Sequence, residues 1–170
     1  IGINTLFLER PETGSGQYTR HLLEALAKVD PTNEYLLFSP GPISNIQYPI
    51  SNPAKLCFEQ ISFPVACRHL DLAHVPYFAS PLFPTVPTVV TIHDLIPLIL
   101  PVYRGSLLVR LYTRLVAAAA RKAQAVITVS QASQRDIVHH LHIPPERIHV
   151  TCEAAGEAFR PVEDEAQLAA

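Results

Sequence analysis

Two rhythms of apolar and polar positions take turns along the chain. Ile1–Leu8 is a short, aliphatic and β-branched run that predicts a buried strand. After a loop, Tyr18, Leu22, Ala25, Leu26 and Val29 recur at three- and four-residue spacing, while Gln17, Arg20, Glu24 and Lys28 take the opposite face. That spacing predicts an amphipathic helix over Gly16–Val29, stopped by Asp30–Pro31. Tyr35–Phe38 follows as a second strand. The proline-rich stretch Ser39–Pro53 reads as irregular, with a short strand near Ile46–Ile50. Cys57–Leu70 has helical spacing with a kink or break at Pro64, and Leu72–Val75 and Thr88–Ile92 are strands on either side of a proline-rich loop.

The longest predicted helix is Gly105–Ala123, where the rows Leu107/Leu111/Leu115 and Leu108/Tyr112/Val116 form a broad apolar stripe. Ala125–Val129 is a strand, Gln131–Leu141 a helix and Ile148–Thr151 a last strand. Strands that are apolar on both faces and joined through helices indicate an α/β domain with a mostly parallel sheet covered on both sides. Right-handed crossovers make it doubly wound and Rossmann-like. Past Phe159–Arg160–Pro161 the character changes to an acidic and small-residue stretch, so residues 1–161 are expected to form the domain and Val162–Ala170 a linker into something further.

Composition adds limits. Apolar residues make up 48% of 170 and charged residues 16%, enough for a sizeable core. A formal charge of −2 is too near neutral for a nucleic-acid binder. Cys57, Cys67 and Cys152 are too widely spaced for a disulfide framework or a zinc cluster, which points to reduced thiols and a cytoplasmic compartment. The chain has no Met and opens on Ile1–Gly2–Ile3, so it is expected to lack its natural start, and nothing in it reads as a cleavable signal. Leu72–His93 holds no Asp, Glu, Lys or Arg, yet Pro76, Pro81, Pro84 and Pro87 lie within it. Each would cost a helix interior about 3 kcal/mol, which excludes a membrane span there.

In an open parallel sheet, ligands bind beyond the carboxyl ends of the strands, so the residues just past each strand are the candidates. Thr13–Gly14–Ser15–Gly16 follows the first strand and opens a helix. It reads either as an anion-binding turn, with backbone amides and the positive helix end facing a phosphate, or as an ordinary turn; Thr19 stands where a dinucleotide fingerprint would have its third glycine. His93–Asp94 follows Thr88–Ile92 and can hydrogen-bond a ligand or shuttle a proton, or His93 can simply satisfy buried backbone groups. Ser130 follows the next strand as a ligand contact or a helix N-cap. Cys152–Glu153–Ala154–Ala155–Gly156 follows the last. Each signal is weak alone, and all of them on one sheet edge is a stronger one.

His139, His140 and His142 do not make a metal site, because neighbouring helical histidines diverge and no further ligand joins them at suitable spacing. No G-x-S-x-G elbow or P-loop is present. From Asp94 to Asp136 no acidic residue intervenes, although Arg104, Arg110, Arg114, Arg121, Lys122 and Arg135 all fall there. Arg110, Arg114 and Arg121 lie within about 40° of one another on a helix, either as a solvated face or as a positive strip for an anionic acceptor, a phospholipid surface or another chain.

Gly14-Ser-Gly-Gln-Tyr-Thr-Arg-His-Leu-Leu-Glu-Ala-Leu26, Val89-Val-Thr-Ile-His-Asp-Leu-Ile-Pro97, Ala125-Val-Ile-Thr-Val-Ser-Gln-Ala-Ser-Gln-Arg-Asp136 and Ile143-Pro-Pro-Glu-Arg-Ile-His-Val150 together resemble the amino-terminal half of GT-B glycosyltransferases of family 4, also called group 1. The likeness runs in register to Phe159–Arg160–Pro161. It implies two Rossmann-like domains facing across a cleft, and transfer of a sugar from a nucleotide-diphosphate donor with retention at the anomeric carbon. The acceptor hydroxyl would belong to a glycan or a glycolipid, and neither a metal nor another cofactor is expected.

By the same resemblance the amino-terminal half mainly holds the acceptor. Gly14 and Gly16 approach the donor phosphates or the acceptor, His93 helps position the transferred sugar, and Ser130 and Glu153 line the cleft. The family's turn after the last strand often reads Asn-Gly followed by an acidic residue, where Glu153-Ala-Ala-Gly156 stands here. The donor-gripping basic residues and paired glutamates of the family belong to a carboxyl-terminal domain, so this half alone is expected to be inactive. Two other readings carry forward. One is a self-contained Rossmann-like module that binds a nucleotide or sugar phosphate without catalysis. The other is a domain that docks peripherally on the inner face of a membrane, or on a partner, through its arginine face.

Overall fold

The computed structural model describes residues 1–40, 53–103, 105–154 and 156. Its centre is a six-stranded, all-parallel sheet in the order β2-β1-β3-β4-β5-β6. The strands are β1 (Gly2–Asn4), β2 (Leu36–Phe38), β3 (Ala73–Val75), β4 (Thr88–Thr91), β5 (Ala125–Thr128) and β6 (Ile148–Val150). Register is continuous across the sheet, with Ile3 opposite Leu37 and His74, Val90 opposite Val75 and Val126, and Ile127 opposite His149. Ile3, Val75, Val90 and Val126 are wholly buried, and each such side chain contributes about 1.5–3 kcal/mol.

The helical elements are α1 (Gly14–Val29), α2 (Pro53–Cys57), α3 (Phe63–Cys67), α4 (Ile96–Ile99), α5 (Leu107–Ala120) and α6 (Gln131–Asp136). Because β2 and β3 flank β1 on opposite sides, right-handed crossovers put α1 on one face of the sheet and α2–α3, α5 and α6 on the other. The domain is therefore α/β, doubly wound and Rossmann-like, as the hydrophobic pattern predicts. The order reverses between β1 and β3, which makes their carboxyl ends the switch point where such sheets bind ligands.

Several boundaries differ from the pattern. The first strand ends at Asn4, not Leu8, and the chain turns at once through residues 6–9. Leu6 and Phe7 belong to the core from that turn, which is why an unbroken apolar run is longer than the strand within it. The first helix begins at Gly14, two residues earlier than the spacing indicates, with Thr13 as its N-cap; the Thr13 hydroxyl accepts from the Gly16 amide at 3.1 Å. Pro64 does not break the second helical run. A π-turn over Phe58–Ser62, closed by the Phe63 amide on the Phe58 carbonyl, joins α2 to α3 just before the proline that lacks an N–H to donate. Another π-turn, Ile137–Leu141, extends α6. The strand expected near Ile46–Ile50, the Phe159–Pro161 boundary and the linker Val162–Ala170 lie outside the described residues.

Gly16 has a structural reason to be glycine that the anion-loop reading does not need. A Cβ there would collide with the Arg10 carbonyl oxygen and come within 2.7 Å of the Phe7 carbonyl, whereas a Cβ on Gly14 meets nothing within 4 Å. Gly16→Ala is therefore expected to destabilise the domain by about 1–3 kcal/mol or more, since backbone oxygens cannot step aside cheaply. Gly14→Ala is expected to leave stability unchanged or slightly higher. Urea melts of the two variants check this contrast.

Candidate functional site

All six strands point the same way, so their carboxyl ends lie along one edge, and the segments leaving them build a continuous set of clefts. One, of about 420 Å³, is lined by Gly14, Ser15, Phe78, His93, Asp94, Pro97 and Glu153. These residues follow β1, β3, β4 and β6, so the cleft spans the switch point. Gly14 and Ser15 are the first two residues of α1, whose amides have no acceptor within the helix and whose end carries partial positive charge. A second cleft, of about 510 Å³, shares Gly14 and Glu153 and continues along Tyr18 and His21. A third, of about 280 Å³, shares Pro97 and is bounded by Arg110, Thr113 and Arg114.

His93 is the best-held side chain here. Its Nδ1 lies 3.1 Å from Glu153 Oε1 across 60 residues of sequence, pairing the ends of β4 and β6. In a neutral ring the nitrogen that faces a carboxylate carries the proton, which leaves Nε2 as an acceptor. Nε2 is buried and has no hydrogen-bond partner among the described residues. The Tyr18 ring meets the imidazole edge to face at 4.7 Å and 86°. Tyr18 Oη is 3.5 Å from Thr91 Oγ1, and Thr91 Oγ1 is 3.0 Å from His74 Nε2, so α1, β4 and β3 are tied together beneath His93. Burial raises the Tyr18 phenol pKa; the bond to Thr91 opposes this and the Glu153 charge adds to it.

The other sequence-derived candidates take distinct places. Asp94 lines the first cleft, and its Oδ1 accepts from the Ile96 amide at 2.9 Å at the start of α4. Ser130 is the N-cap of α6, accepting from the Ser133 amide at 3.0 Å. The Ser130 hydroxyl donates to Ser133 Oγ, which in turn donates to the His93 carbonyl at 2.8 Å. Ser130 thus supports the His93 backbone and does not itself line the first two clefts.

The arginine strip divides. Arg110 and Arg114 flank the third cleft, whereas Arg121 stands at the C-cap of α5 and donates from Nε to the Leu141 carbonyl at 2.7 Å. A shared helical angle did not bring Arg121 to the same surface, because it lies well over a turn beyond Arg114, beside the end of the π-turn.

The hydrophobic pattern missed a buried polar cluster beside the switch point. Lys55 Nζ lies 2.6 Å from Glu59 Oε1, with the Glu59 side chain wholly buried. The Tyr112 hydroxyl donates to Glu59 Oε2 at 2.8 Å and accepts from Lys55 at 2.5 Å, and the ammonium sits 4.4 Å from the Tyr112 ring centroid. Desolvation lowers the Lys55 pKa, and the Glu59 charge opposes it. Tyr77 and Asn4 are buried too, at the ends of β3 and β1. Burial pushes the Tyr77 phenol pKa well up, and the Glu59 charge adds to that. The one available signal was Lys55 and Glu59 at helical i, i+4 spacing, a pattern far commoner on exposed faces.

The sequence profile of Glycosyltransferase Family 4 matches residues 13–152, from the N-cap of α1 to the turn after β6. The chain belongs to that family. No curated protein matches it at a significant level. Family membership makes this all-parallel domain an amino-terminal half of the GT-B type, and makes glycosyl transfer the chemistry against which the clefts are to be read. Among the described residues of this family-4 chain, no helix is long and apolar enough to cross a membrane.

Two measurements test the site's framework. Lys55→Met leaves the Glu59 carboxylate buried without its cation and is expected to cost about 3–5 kcal/mol in a denaturant melt. His74 is held neutral by burial, its pKa depressed from 6.5 to about 4. Its contribution is full above pH 6.5 and declines as pH falls toward 4, by about 3 kcal/mol in all, because only the unfolded ring takes up a proton in that window. His74→Asn is expected to flatten that part of the stability–pH curve relative to the unsubstituted protein.

Proposed function

We propose that this chain is the acceptor-side domain of a retaining glycosyltransferase that moves a sugar from a nucleotide-diphosphate donor to the hydroxyl of a glycan or lipid-linked acceptor. The observation that carries the reading is the meeting, in one cleft of a family-4 chain, of the α1 N-terminus at Gly14–Ser15 with the His93–Glu153 pair. Amides and a helix end suit a departing phosphate, whose growing charge they stabilise. The His93 ring, held by Glu153 and the Tyr18 face, suits a sugar hydroxyl, which can donate to Nε2 after a small displacement of the residues covering it.

In this mechanism the bond from the anomeric carbon to the diphosphate oxygen breaks as the acceptor oxygen bonds to the same face. The acceptor's proton leaves with the departing phosphate oxygen. His93 is a sugar-orienting group, and Glu153 acts through it. A second Rossmann-like domain would supply the cationic grip on the diphosphate, so this half alone would not turn over.

The test is a donor screen on the full-length enzyme with several nucleotide sugars, followed by His93→Ala on the donor that reacts. Turnover is expected to fall about 100-fold with the melting temperature unchanged, the scale of a lost positioning contact. Unchanged turnover removes His93 from the mechanism. Binding of a nucleotide sugar with no transfer or hydrolysis by the full-length protein would instead favour a binding module.

A further inference from the structure

Just past β3 the backbone is folded so that one aromatic side chain is delivered to the His93 cleft. The Ala79 amide donates to the Tyr77 carbonyl at 2.8 Å, closing a three-residue turn with Phe78 at its apex. Tyr77 and Ala79 on either side are buried, Tyr77 with its ring edge to face against Phe7 at 4.8 Å and 83°. Phe78 is only half-buried: it packs against the core and also lines the cleft. The residues that follow are clamped from the π-turn, where Gln60 donates from Nε2 to the Ser80 carbonyl at 3.3 Å and accepts from the Leu82 amide at 2.9 Å. The ring is thus in place before a ligand arrives, which spares the cost of ordering it on binding.

In the sheet β3 lies between β1 and β4, so Phe78 enters the cleft between the α1 N-terminus and His93–Asp94. Pro97 adds a second apolar surface, and the Asp94 and Glu153 carboxylates complete the wall. Asp94 spends Oδ1 on the Ile96 amide and Glu153 spends Oε1 on His93. The other oxygen of each has no hydrogen-bond donor among the described residues.

We infer that this cleft binds a neutral pyranosyl residue of the acceptor, with the sugar's C–H face on the Phe78 ring and its hydroxyls on Asp94 and Glu153. A pyranose carries both kinds of surface, ring hydrogens directed to a face and hydroxyl donors around the rim. The negative face of an aromatic ring attracts those hydrogens, which neighbouring oxygens leave electron-poor. Free carboxylate oxygens accept hydroxyl protons in charge-assisted bonds. The same carboxylates repel a uronate or a sugar phosphate at this position, so charge selects a neutral sugar. The departing diphosphate is met instead by the amides at Gly14–Ser15, which follow β1 and not β4. The role of the bound sugar as acceptor rests on the transferase reading, whereas its binding is measured without turnover.

Saturation-transfer NMR of the full-length protein tests it, with methyl and octyl glycosides of glucose, mannose and galactose and the uronic acid counterpart of each methyl glycoside. At least one neutral glycoside is expected to bind, with the strongest transfer to its ring hydrogens, and about fivefold more tightly than its uronide. Phe78→Leu is expected to weaken that binding about tenfold, while Phe78→Tyr, which keeps the ring, retains it. Asp94→Asn keeps the bond to the Ile96 amide and is expected to bring the uronide within about twofold of the neutral glycoside, a test that stands even if Phe78→Leu impairs folding. Equal affinity for methyl and octyl glycosides marks the end of a glycan and tighter octyl binding a glycolipid head; both support the inference. No binding of any neutral glycoside overturns it, as do uronides that bind as tightly as neutral glycosides, or binding indifferent to the Phe78 substitutions. A rise in the donor's KM and not the acceptor's in Phe78→Leu also overturns it, because the ring would then serve the transferred sugar. Glycoside binding that depends on Phe78 in a protein that transfers no sugar would leave the sugar site standing and overturn the transferase reading.

Discussion

Parallel pairing of every strand is the constraint on which the rest of this domain depends. A parallel ladder cannot be closed by tight turns, so each strand must be followed by a crossover, and each crossover must leave from the same edge. Residues far apart in sequence are thereby delivered to one line: Gly14 after β1, Phe78 after β3, His93 after β4 and Glu153 after β6. The pairing of His93 with Glu153 follows from strand register, because Thr91 lies beside Ile127 and Thr128 beside Val150. Short strands make this edge reachable. With three or four residues each, they leave long connections free to fold over the ends and carry polar side chains into the clefts.

Fold class was legible in the sequence because helix and strand rhythms alternate cleanly and every strand reads as apolar on both faces. Boundaries were less so. The run Ile1–Leu8 is apolar throughout because its second half packs into the core from a turn, and periodicity cannot tell those two kinds of burial apart. Candidate residues taken from strand ends do gather along one edge, since position past a parallel strand is a geometric fact once the topology holds. Tyr18 was read only as part of a helix's apolar face, although its ring meets His93 and its hydroxyl meets Thr91. Pattern reading assigns a residue to a face as a whole, whereas an aromatic with a polar tip can pack with its body and direct its hydroxyl elsewhere.

Helix α5 shows a similar limit on amphipathic reasoning. Its leucine rows run the length of the element, but burial does not follow them. Val116 and the alanines of its second half are buried, whereas Leu107, Leu108 and Leu111 of its first two turns are exposed on the side turned away from those buried residues. A stripe therefore records which positions of a helix are apolar, and packing decides which of them become core. Angular proximity has the same weakness for charges. Arg121 shares an angle with Arg110 and Arg114, yet distance along the axis gives it a backbone carbonyl on another element instead of a place by the cleft.

The buried Lys55–Glu59–Tyr112 cluster connects the two halves of this picture. Burying an ion pair costs desolvation that its own attraction only partly offsets, so such a pair persists where geometry is good and further hydrogen bonds are made. Here Tyr112 supplies them, donating to the carboxylate and accepting from the ammonium. Tyr112 belongs to α5, whereas Lys55 and Glu59 belong to the helical run before β3, so the cluster pins α5 to that run. One side of that helix is thereby held against the strand ends, with Arg110 and Arg114 at the rim of the clefts and the leucines turned outward. A hydrophobic contact of equal size would tolerate sliding along the helix axis; a buried pair with directed bonds does not. The position of the site's cationic rim is fixed by polar atoms that never reach the site.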